Sequence, residues 1–573
     1  MGICHTIKNE ESKNYSIEEK DQTTRRSESL LSNKTIPEKD KRKINIAPKK
    51  SITQTSSSKK PKKKNIITID KIKKEKRAKT LNFSLSNDSN KNDSIEKNLE
   101  INTQLIVNCN NKNPRDEYKI IKKLGKGGFG TVWKVKNIQT NLFRAMKKIP
   151  KLRNNMNNIN EILNEVEILK NLDHPNIVKI FEFFIEADGY YIITEYCHEG
   201  ELFKLIKTKG FFSEKIAANI MYQIFQAMYY CHVTNNIIHR DLKPENIMIE
   251  SIDYETGFYN IKIIDFGTAK IREKDKRENK VLGSCFYIAP EVLNKHYNEK
   301  CDIWSCGVIL YILLCGNVPF NGRDEREISQ KIKSGKFDLN ISPFDKISNE
   351  GKDLIKQCLE LNVNKRISAK EALNHPWFDL WKSKEYFTNV NEYFMKKTIN
   401  NLIMYKPINK LQKLALTYFV HNFGNLNEIK SINKIFNLFN LSGNGKLSKE
   451  ETYQGLKNYL NYSSKEKINK KVNKIFKNID NDNNGFIEYE EFARAALDKR
   501  IFLDENVLRF TFDFMDKDGS GEISLNELKE IFGVKDDKES EILLKEIIDK
   551  IDTDGNGEIS FKEYNDMMKN III

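Results

Sequence analysis

No run of about 18 apolar residues occurs anywhere in the 573 residues, so no membrane-spanning helix is expected. The first twenty residues are polar and lack the apolar core of a secretory signal. Cysteine is scarce: nine residues, no close pair at metal spacing, and none after Cys358. Cys301 and Cys306, the nearest two, fall in an apolar helical stretch and read as core. That usage excludes a disulfide framework and indicates a reducing compartment, so a cytoplasmic protein is expected. No aromatic residue interrupts the lysines between 59 and 79. The stacking platforms of a single-strand binder are missing there, and no nucleic-acid partner is expected.

What is present suits a soluble, core-forming chain of about three to four domains, with 39% hydrophobic and 31% charged residues. The net charge of +16 is unevenly spread. Residues 1–115 hold 27 basic and 14 acidic residues, whereas 426–573 hold 23 and 29. The first segment is rich in Ser, Thr, Asn and Lys and cannot bury enough apolar surface to offset chain entropy. It reads as a disordered basic tail, 1–115. Its start, Met1-Gly2-Ile3-Cys4-His5-Thr6, fits the N-myristoylation pattern at Gly2, with Cys4 beside it as a palmitoylation candidate. One acyl chain holds a protein only marginally, so Cys4 or the run Lys59-Lys60-Pro61-Lys62-Lys63-Lys64 would supply the second signal. Association with the cytoplasmic face of a membrane, through lipid plus polybasic tail, is the expectation.

The centre of the chain alternates in strand fashion from Tyr118 into Leu124-Gly125-Lys126-Gly127-Gly128-Phe129-Gly130-Thr131-Val132. Glycines here let backbone N–H groups approach phosphates, and Val132 continues a strand rather than starting a helix. Lys147 follows in a second strand-like run and can reach phosphates; Glu165 lies on a helix over about 160–172 and could hold that lysine extended. Two strands follow, 177–184 and 190–195, the second ending in Thr194-Glu195, with Cys197 and Glu201 just beyond it. Then comes His239-Arg240-Asp241-Leu242-Lys243-Pro244-Glu245-Asn246, with a carboxylate, a lysine and an amide that can take a proton, neutralise a phosphate and ligate a metal. A strand over 261–264 ends in Asp265-Phe266-Gly267.

With Ala289-Pro290-Glu291, Asp302 and Arg366 following in order, residues 118–378 resemble a eukaryotic protein kinase domain. The resemblance implies an α+β bilobal fold that binds ATP between its lobes. It implies that Leu124 to Val132, Lys147, Glu165, Thr194, Glu195, Cys197 and Glu201 surround ATP. Asp241 would accept the substrate hydroxyl's proton, Lys243 steady the γ-phosphate, and Asn246 and Asp265 ligate Mg²⁺. Glu291 would pair with Arg366, and Asp302 would brace the catalytic loop. Glu201 and Glu245 would receive a basic side chain about three residues before the acceptor Ser or Thr. Between Gly267 and Ala289 the only hydroxyls are Thr268, Ser284 and Tyr287, and Lys270–Lys280 has none. The usual phosphorylated partner for Arg240 is therefore missing, and an acidic residue such as Glu278 could replace it.

The last 150 residues repeat. Loops beginning at Asn440, Asp480, Asp516 and Asp552 are spaced 40, 36 and 36 residues apart. Each alternates Asp, Asn or Ser with a central glycine and ends in Glu at position 12, the pattern of an EF-hand calcium loop. The ligand sets are Asp480, Asp482, Asn484, Phe486 (carbonyl) and Glu491; Asp516, Asp518, Ser520, Glu522 and Glu527; and Asp552, Asp554, Asn556, Glu558 and Glu563. The first loop offers Asn440, Ser442, Asn444, Lys446 and Glu451, a single carboxylate, so weak or no calcium binding is expected there. Position 8 is apolar in all four (Leu447, Ile487, Ile523, Ile559), as pairing two loops by a short strand requires. Two pairs, 426–498 and 505–570, resemble an all-α calmodulin-like domain. Kinase and loops together resemble the calcium-dependent protein kinases.

Between them, 379–425 is apolar and basic, with Phe394-Met395-Lys396-Lys397 and then Leu411, Leu414, Ala415 and Tyr418 on one helix face. Basic amphipathic helices are what calmodulin lobes grip. The resemblance implies an autoinhibitory junction that blocks the cleft without calcium, with Lys396 and Lys397 imitating substrate. The expected protein is a monomeric calcium-activated Ser/Thr kinase using ATP, Mg²⁺ and Ca²⁺ on protein substrates.

Overall fold

The computed structural model describes residues 107–571, apart from 111–112, 128–129, 152–155, 255–256, 273–282, 382–391, 407, 424–426, 461–463, 481 and 535–537. Gly2, Cys4, the tail lysines, Gly128, Phe129 and Glu278 thus lie outside the described residues. All described residues fall within one compact unit, Ser89–Ile573.

The kinase half opens with a six-stranded sheet of order β1-β5-β6-β4-β3-β2. Its strands are β1 (Asn108–Asn110), β2 (Tyr118–Gly127), β3 (Gly130–Asn137), β4 (Phe143–Pro150), β5 (Ile180–Glu186) and β6 (Gly189–Glu195). β2 and β3 form the hairpin whose turn is the glycine loop. Gly130 must be glycine: its φ is +146°, and a Cβ there would lie 2.0 Å from the Lys148 carbonyl oxygen. Against the sheet lies the Met156–Lys170 helix, which inserts Ile162, Val166 and Leu169; it starts before the expected residue 160. The strand expected from Ile177 starts at Ile180, with Ile177 making only an isolated bridge to Ile263.

The larger lobe is helical. Its central helix, Lys300–Cys315, is buried along its whole length, including Trp304, and ends where Gly316 turns left-handed at φ +77°. Beside it runs Glu214–Tyr229, capped by Ser213 accepting from the Ile216 N–H. The strand bearing Ile261–Ile263 is one arm of an antiparallel hairpin, Ile247–Asp253 with Phe258–Ile263. Its arms leave the catalytic loop and enter the Asp265 turn, so the pairing fixes those two segments side by side.

The C-terminal half is two helical pairs. The strand Lys446–Ser448 pairs with Phe486–Glu488 through Leu447 opposite Ile487, and Ile523 faces Ile559 in the second pair. Junction helices Glu392–Met404 and Lys410–Asn422 precede them.

Candidate active site and calcium loops

The catalytic loop is held from below. Buried Asp302 accepts the backbone N–H groups of His239 at 2.8 Å and Arg240 at 2.9 Å, and faces His232 Nε2 at 2.9 Å. Burial opposes its charge, but the His232 hydrogen bond and the His232 and His239 interactions together outweigh that and hold the carboxyl below its usual range. Arg240 and Asp265 sit at φ +70° and +64°, conformations that non-glycine residues keep only when neighbours enforce them. Arg240 Nε donates to the Thr268 carbonyl at 2.6 Å, and Thr268 Oγ1 donates to the His239 carbonyl at 2.9 Å. The two loops are thereby locked to each other without any phosphate.

Above this brace the chemical groups converge. Lys243 Nζ is 2.6 Å from Asp241 Oδ2 and 2.9 Å from Ser284 Oγ; that hydroxyl lies 3.3 Å from Asp241 Oδ1. Asn246 Nδ2 donates to the Asp241 carbonyl at 2.8 Å and to Oδ2 at 3.2 Å. Ser284, in sequence one of three hydroxyls between Gly267 and Ala289, is thus a direct neighbour of Asp241. Across the cleft, Lys147 Nζ is 2.9 Å from Glu165 Oε1 and 3.3 Å from Asp265 Oδ1. Burial pushes the Lys147 ammonium down, but the two carboxylates more than offset it and raise its pKa. Burial lifts Glu165 against the pull of Lys147, while Lys147 and His239 overcome burial to lower Asp265. Two carboxylates against one lysine leave excess negative charge where a cation would sit. Asp265 and Asn246 both offer oxygen, because Asn246 spends its amide nitrogen on Asp241; hard oxygen donors suit Mg²⁺.

Other expected residues lie around this core. Arg366 forks onto Glu291 at 2.5 and 2.9 Å. Glu195 directs its carboxylate away from the cleft, to buried Lys262 Nζ at 3.0 Å, so its side chain is committed to holding the lobes together. Cys197 is buried, and burial raises its thiol pKa. Glu201 pairs with its neighbour Lys204 at 2.7 Å, and Glu245 Oε2 is buried with no hydrogen-bond partner.

In the calcium loops, Asp516, Asp518 and Glu527 bring carboxylate oxygens within 4.8 Å of one another, as do Asp552, Asp554 and Glu563. Gly521 and Gly557, at φ +90° and +85°, make the sharp turn that puts position 7 in line. Burial opposes ionisation of Glu563, but donors including the backbone N–H of Thr553 and Ser560 bring it down to about 2. These all-oxygen, anionic sets fit Ca²⁺. The second loop has Asp480 raised, by burial and then by Asp482, and its three carboxylates are not drawn into one such group. In the first loop Glu451 is engaged internally: Oε1 accepts from the Ser442 N–H and Oε2 from Ser448.

Residues 118–378 match the protein kinase domain model, and residues 413–497 and 505–569 match the EF-hand domain pair model. Calcium-dependent protein kinase 4 of Plasmodium berghei (strain Anka) is 41% identical over 429 residues, 74% of this chain and 80% of that protein. Calcium-dependent protein kinase 5 of Plasmodium falciparum (isolate 3D7) is 39% identical over 429 residues, covering 75% and 73%. The chain belongs to the calcium-dependent protein kinase family. It is a calcium-dependent serine/threonine protein kinase: the kinase domain implies ATP and Mg²⁺, and the EF-hands imply Ca²⁺. Among the described residues no helix is long and apolar enough to cross a membrane.

The regulatory half of this kinase docks on the kinase domain through charged, neutral and aromatic groups together. Arg144, on β4 opposite Glu195, donates to the Asn422 carbonyl at the end of the second junction helix and stacks 3.8 Å over Phe181. His421 Nε2 is 2.8 Å from the Ile180 carbonyl, so that nitrogen carries the proton. The first calcium loop also docks. Asn444 accepts from Thr234 Oγ1 at 3.2 Å, and a Cβ on Gly445 would meet the Tyr230 ring at 2.6 Å. A loop without aspartates can be buried this way because it brings little charge to desolvate. The second junction helix is enclosed on more than one face: Leu411, Leu414, Ala415, Leu416, Phe419 and Val420 are all buried. Lys396 pairs with Glu392 on its own helix, and Lys397 with Glu428 and Asp498 of the EF-hand region.

A cluster of titratable groups lies in this interface. Glu490 donates its backbone N–H to Asp173 Oδ2 at 3.1 Å, and its carboxyl faces Asp173, Lys179, Arg494 and His421. Burial, then Asp173, push Glu490 up to about 8; burial takes His421 down to about 3, leaving it neutral. The docked form binds a proton that an undocked Glu490 releases near 4.5. The contribution of Glu490 to docking is therefore fully present below about pH 4.5 and is lost as pH rises through about 8. Thermal unfolding of the calcium-loaded chain should fall from about pH 6 to 9, and Glu490→Gln should flatten that slope. Equal slopes in both chains would show that another group titrates.

Proposed function

We propose that this calcium-dependent kinase transfers the γ-phosphoryl group of ATP to Ser or Thr in a basic context, and that the junction gates it. Asp241 is the proposed base, oriented toward the acceptor hydroxyl, with Lys243 on the γ-phosphoryl oxygens and Lys147 on the α- and β-phosphates. Mg²⁺ held by Asp265 and Asn246 would neutralise charge on the phosphates. The chain's own work is placement: the Asp302 brace fixes the catalytic loop, and the Glu165 pair fixes Lys147.

The observation that supports gating is a coincidence of two arrangements. The Lys147–Glu165 pair is made while the second junction helix is held by the regulatory half, Arg494 donating to Thr417 at 2.8 Å and Tyr418 stacking 3.7 Å from Phe514. We infer that this is the active form, and that without calcium the junction is released to cover the cleft. Moving such a switch from mostly off to mostly on takes about 5.5 kcal/mol of differential binding. Three calcium loops could supply that jointly.

Substrate choice is tested with a peptide library in calcium. Peptides with Arg or Lys about three residues before Ser or Thr should be enriched. Glu245→Gln should lower kcat/KM for them by about tenfold, the value of one charge-assisted hydrogen bond. An unchanged ranking in that variant would reject the assignment of Glu245.

A further inference from the structure

Where the first EF-hand helix, Asn427–Phe439, meets the kinase lobe there is a cavity of about 110 Å³. A buried water needs only roughly 10–15 Å³, so the space admits a small ring with substituents. Ala218, Tyr222, Phe258 and Phe378 give it apolar walls on the kinase side, and Leu438 closes the regulatory side. Its polar wall is unfinished. Asn176 Oδ1, Glu250 Oε1 and Asn437 Oδ1, all acceptors, and Trp381 Nε1, a donor, are buried without a hydrogen-bond partner. Asn176 and Glu250 are 3% and 8% exposed. Asn176 is fixed in orientation, because its amide nitrogen is spent on Gln223 Oε1 at 2.8 Å and the Ile261 carbonyl at 3.1 Å. These four polar atoms belong to residues that line one cavity, where buried polar groups are ordinarily hydrogen-bonded.

The lining charges cancel: Glu250 and Asp253 come from the kinase hairpin, Lys430 and Lys434 from the EF-hand helix. An ion of either sign would meet one like-charged pair. We propose that this cavity binds an uncharged, flat aromatic molecule carrying two or more N–H donors and one acceptor. The ring takes the apolar walls, the donors meet the Asn176, Glu250 and Asn437 oxygens, and the acceptor takes the Trp381 N–H. Because its walls come from both halves, an occupant stabilises the docked arrangement. The site shares no residue with the groups proposed for phosphoryl transfer.

Indole-3-carboxamide has this donor and acceptor set. Its binding to the full chain is measured by saturation-transfer NMR and titration calorimetry, in calcium and with saturating Mg-ADP to block the nucleotide site. Binding at millimolar concentration or tighter is expected. It should weaken by about tenfold or more in Ala218→Phe and in Asn437→Phe, which fill the cavity from opposite sides, in chains whose calcium-stimulated activity shows that they fold. Hydrogen exchange on the unmutated chain locates the ligand independently, with slowed exchange expected in 427–439 and 376–381. No binding at millimolar ligand, undiminished binding in both filled variants, or protection confined to other segments would each overturn the proposal.

Discussion

An Asp241→Asn chain should transfer phosphate about 100 to 10,000 times more slowly than the unaltered kinase, the range one positioned proton acceptor contributes. ATP affinity should stay within about twofold, because the phosphate-facing Lys147 and its Glu165 partner are untouched. The substitution keeps the side chain's shape and leaves the His239 and Arg240 N–H bonds to Asp302 untouched, so thermal stability should change little. What it removes is the charge that Lys243 approaches at 2.6 Å and Asn246 at 3.2 Å. Asp241 is also where Ser284 places its hydroxyl, 3.3 Å from Oδ1, a position that shows the carboxylate accessible to an O–H group. Single-turnover rates with Mg-ATP and a basic Ser peptide measure the effect. A variant within about threefold of the parent would remove Asp241 from the proposed role.

The second large effect is expected from the paired substitution Glu527→Gln and Glu563→Gln. Both carboxylates are oriented by the protein's own donors. Glu527 Oε1 accepts from the Lys517 N–H at 2.7 Å and Oε2 from Ser524 at 2.8 Å; Glu563 is held likewise by Thr553 and Ser560. Each caps the helix that follows while pointing back at its loop, so calcium binding and helix position are coupled through one side chain. Gln can hold the cap but loses the charge and the bidentate oxygen pair. The calcium needed for half-maximal activity should rise by about 100-fold or more, within the range that ligand charge and number span in such loops. Glu451→Gln in the first loop should shift it little, since that loop has one carboxylate and is used against Tyr230 and Thr234. Calcium titrations of peptide phosphorylation separate the two cases, and an equal shift for Glu451→Gln would show the first loop to be a working site.

The residues of chemistry were legible because they are local: a loop eight residues long, a glycine turn and twelve-residue calcium loops each declare themselves by spacing. The Lys147–Glu165 pair was legible as well, because the fold implied by the resemblance brings that helix to that strand. Contacts made by the fold as a whole were not. Nothing near Arg144 announces that it reaches the Asn422 carbonyl. Glu195 stands beside the adenine position in sequence, yet its carboxylate turns to Lys262, sixty-seven residues on. Ser284 was one hydroxyl among three until the chain placed it against Lys243. A basic amphipathic pattern predicts one buried face, but the Lys410–Asn422 helix lies between EF-hand helices and β5 and is buried on several. Lys396 and Lys397 looked like a substrate mimic, and in this arrangement they pair with Glu392, Glu428 and Asp498.

The central claim is that calcium, bound by the last three loops, turns on the phosphoryl transfer arranged around Asp241. Initial rates of phosphorylation of one basic Ser peptide by the full chain, with Mg-ATP throughout, are compared in free calcium and in excess chelator. Calcium should raise the rate by about tenfold or more, with the double Glu527→Gln, Glu563→Gln chain staying at the chelated rate at the same calcium. Equal rates with and without calcium would contradict the account.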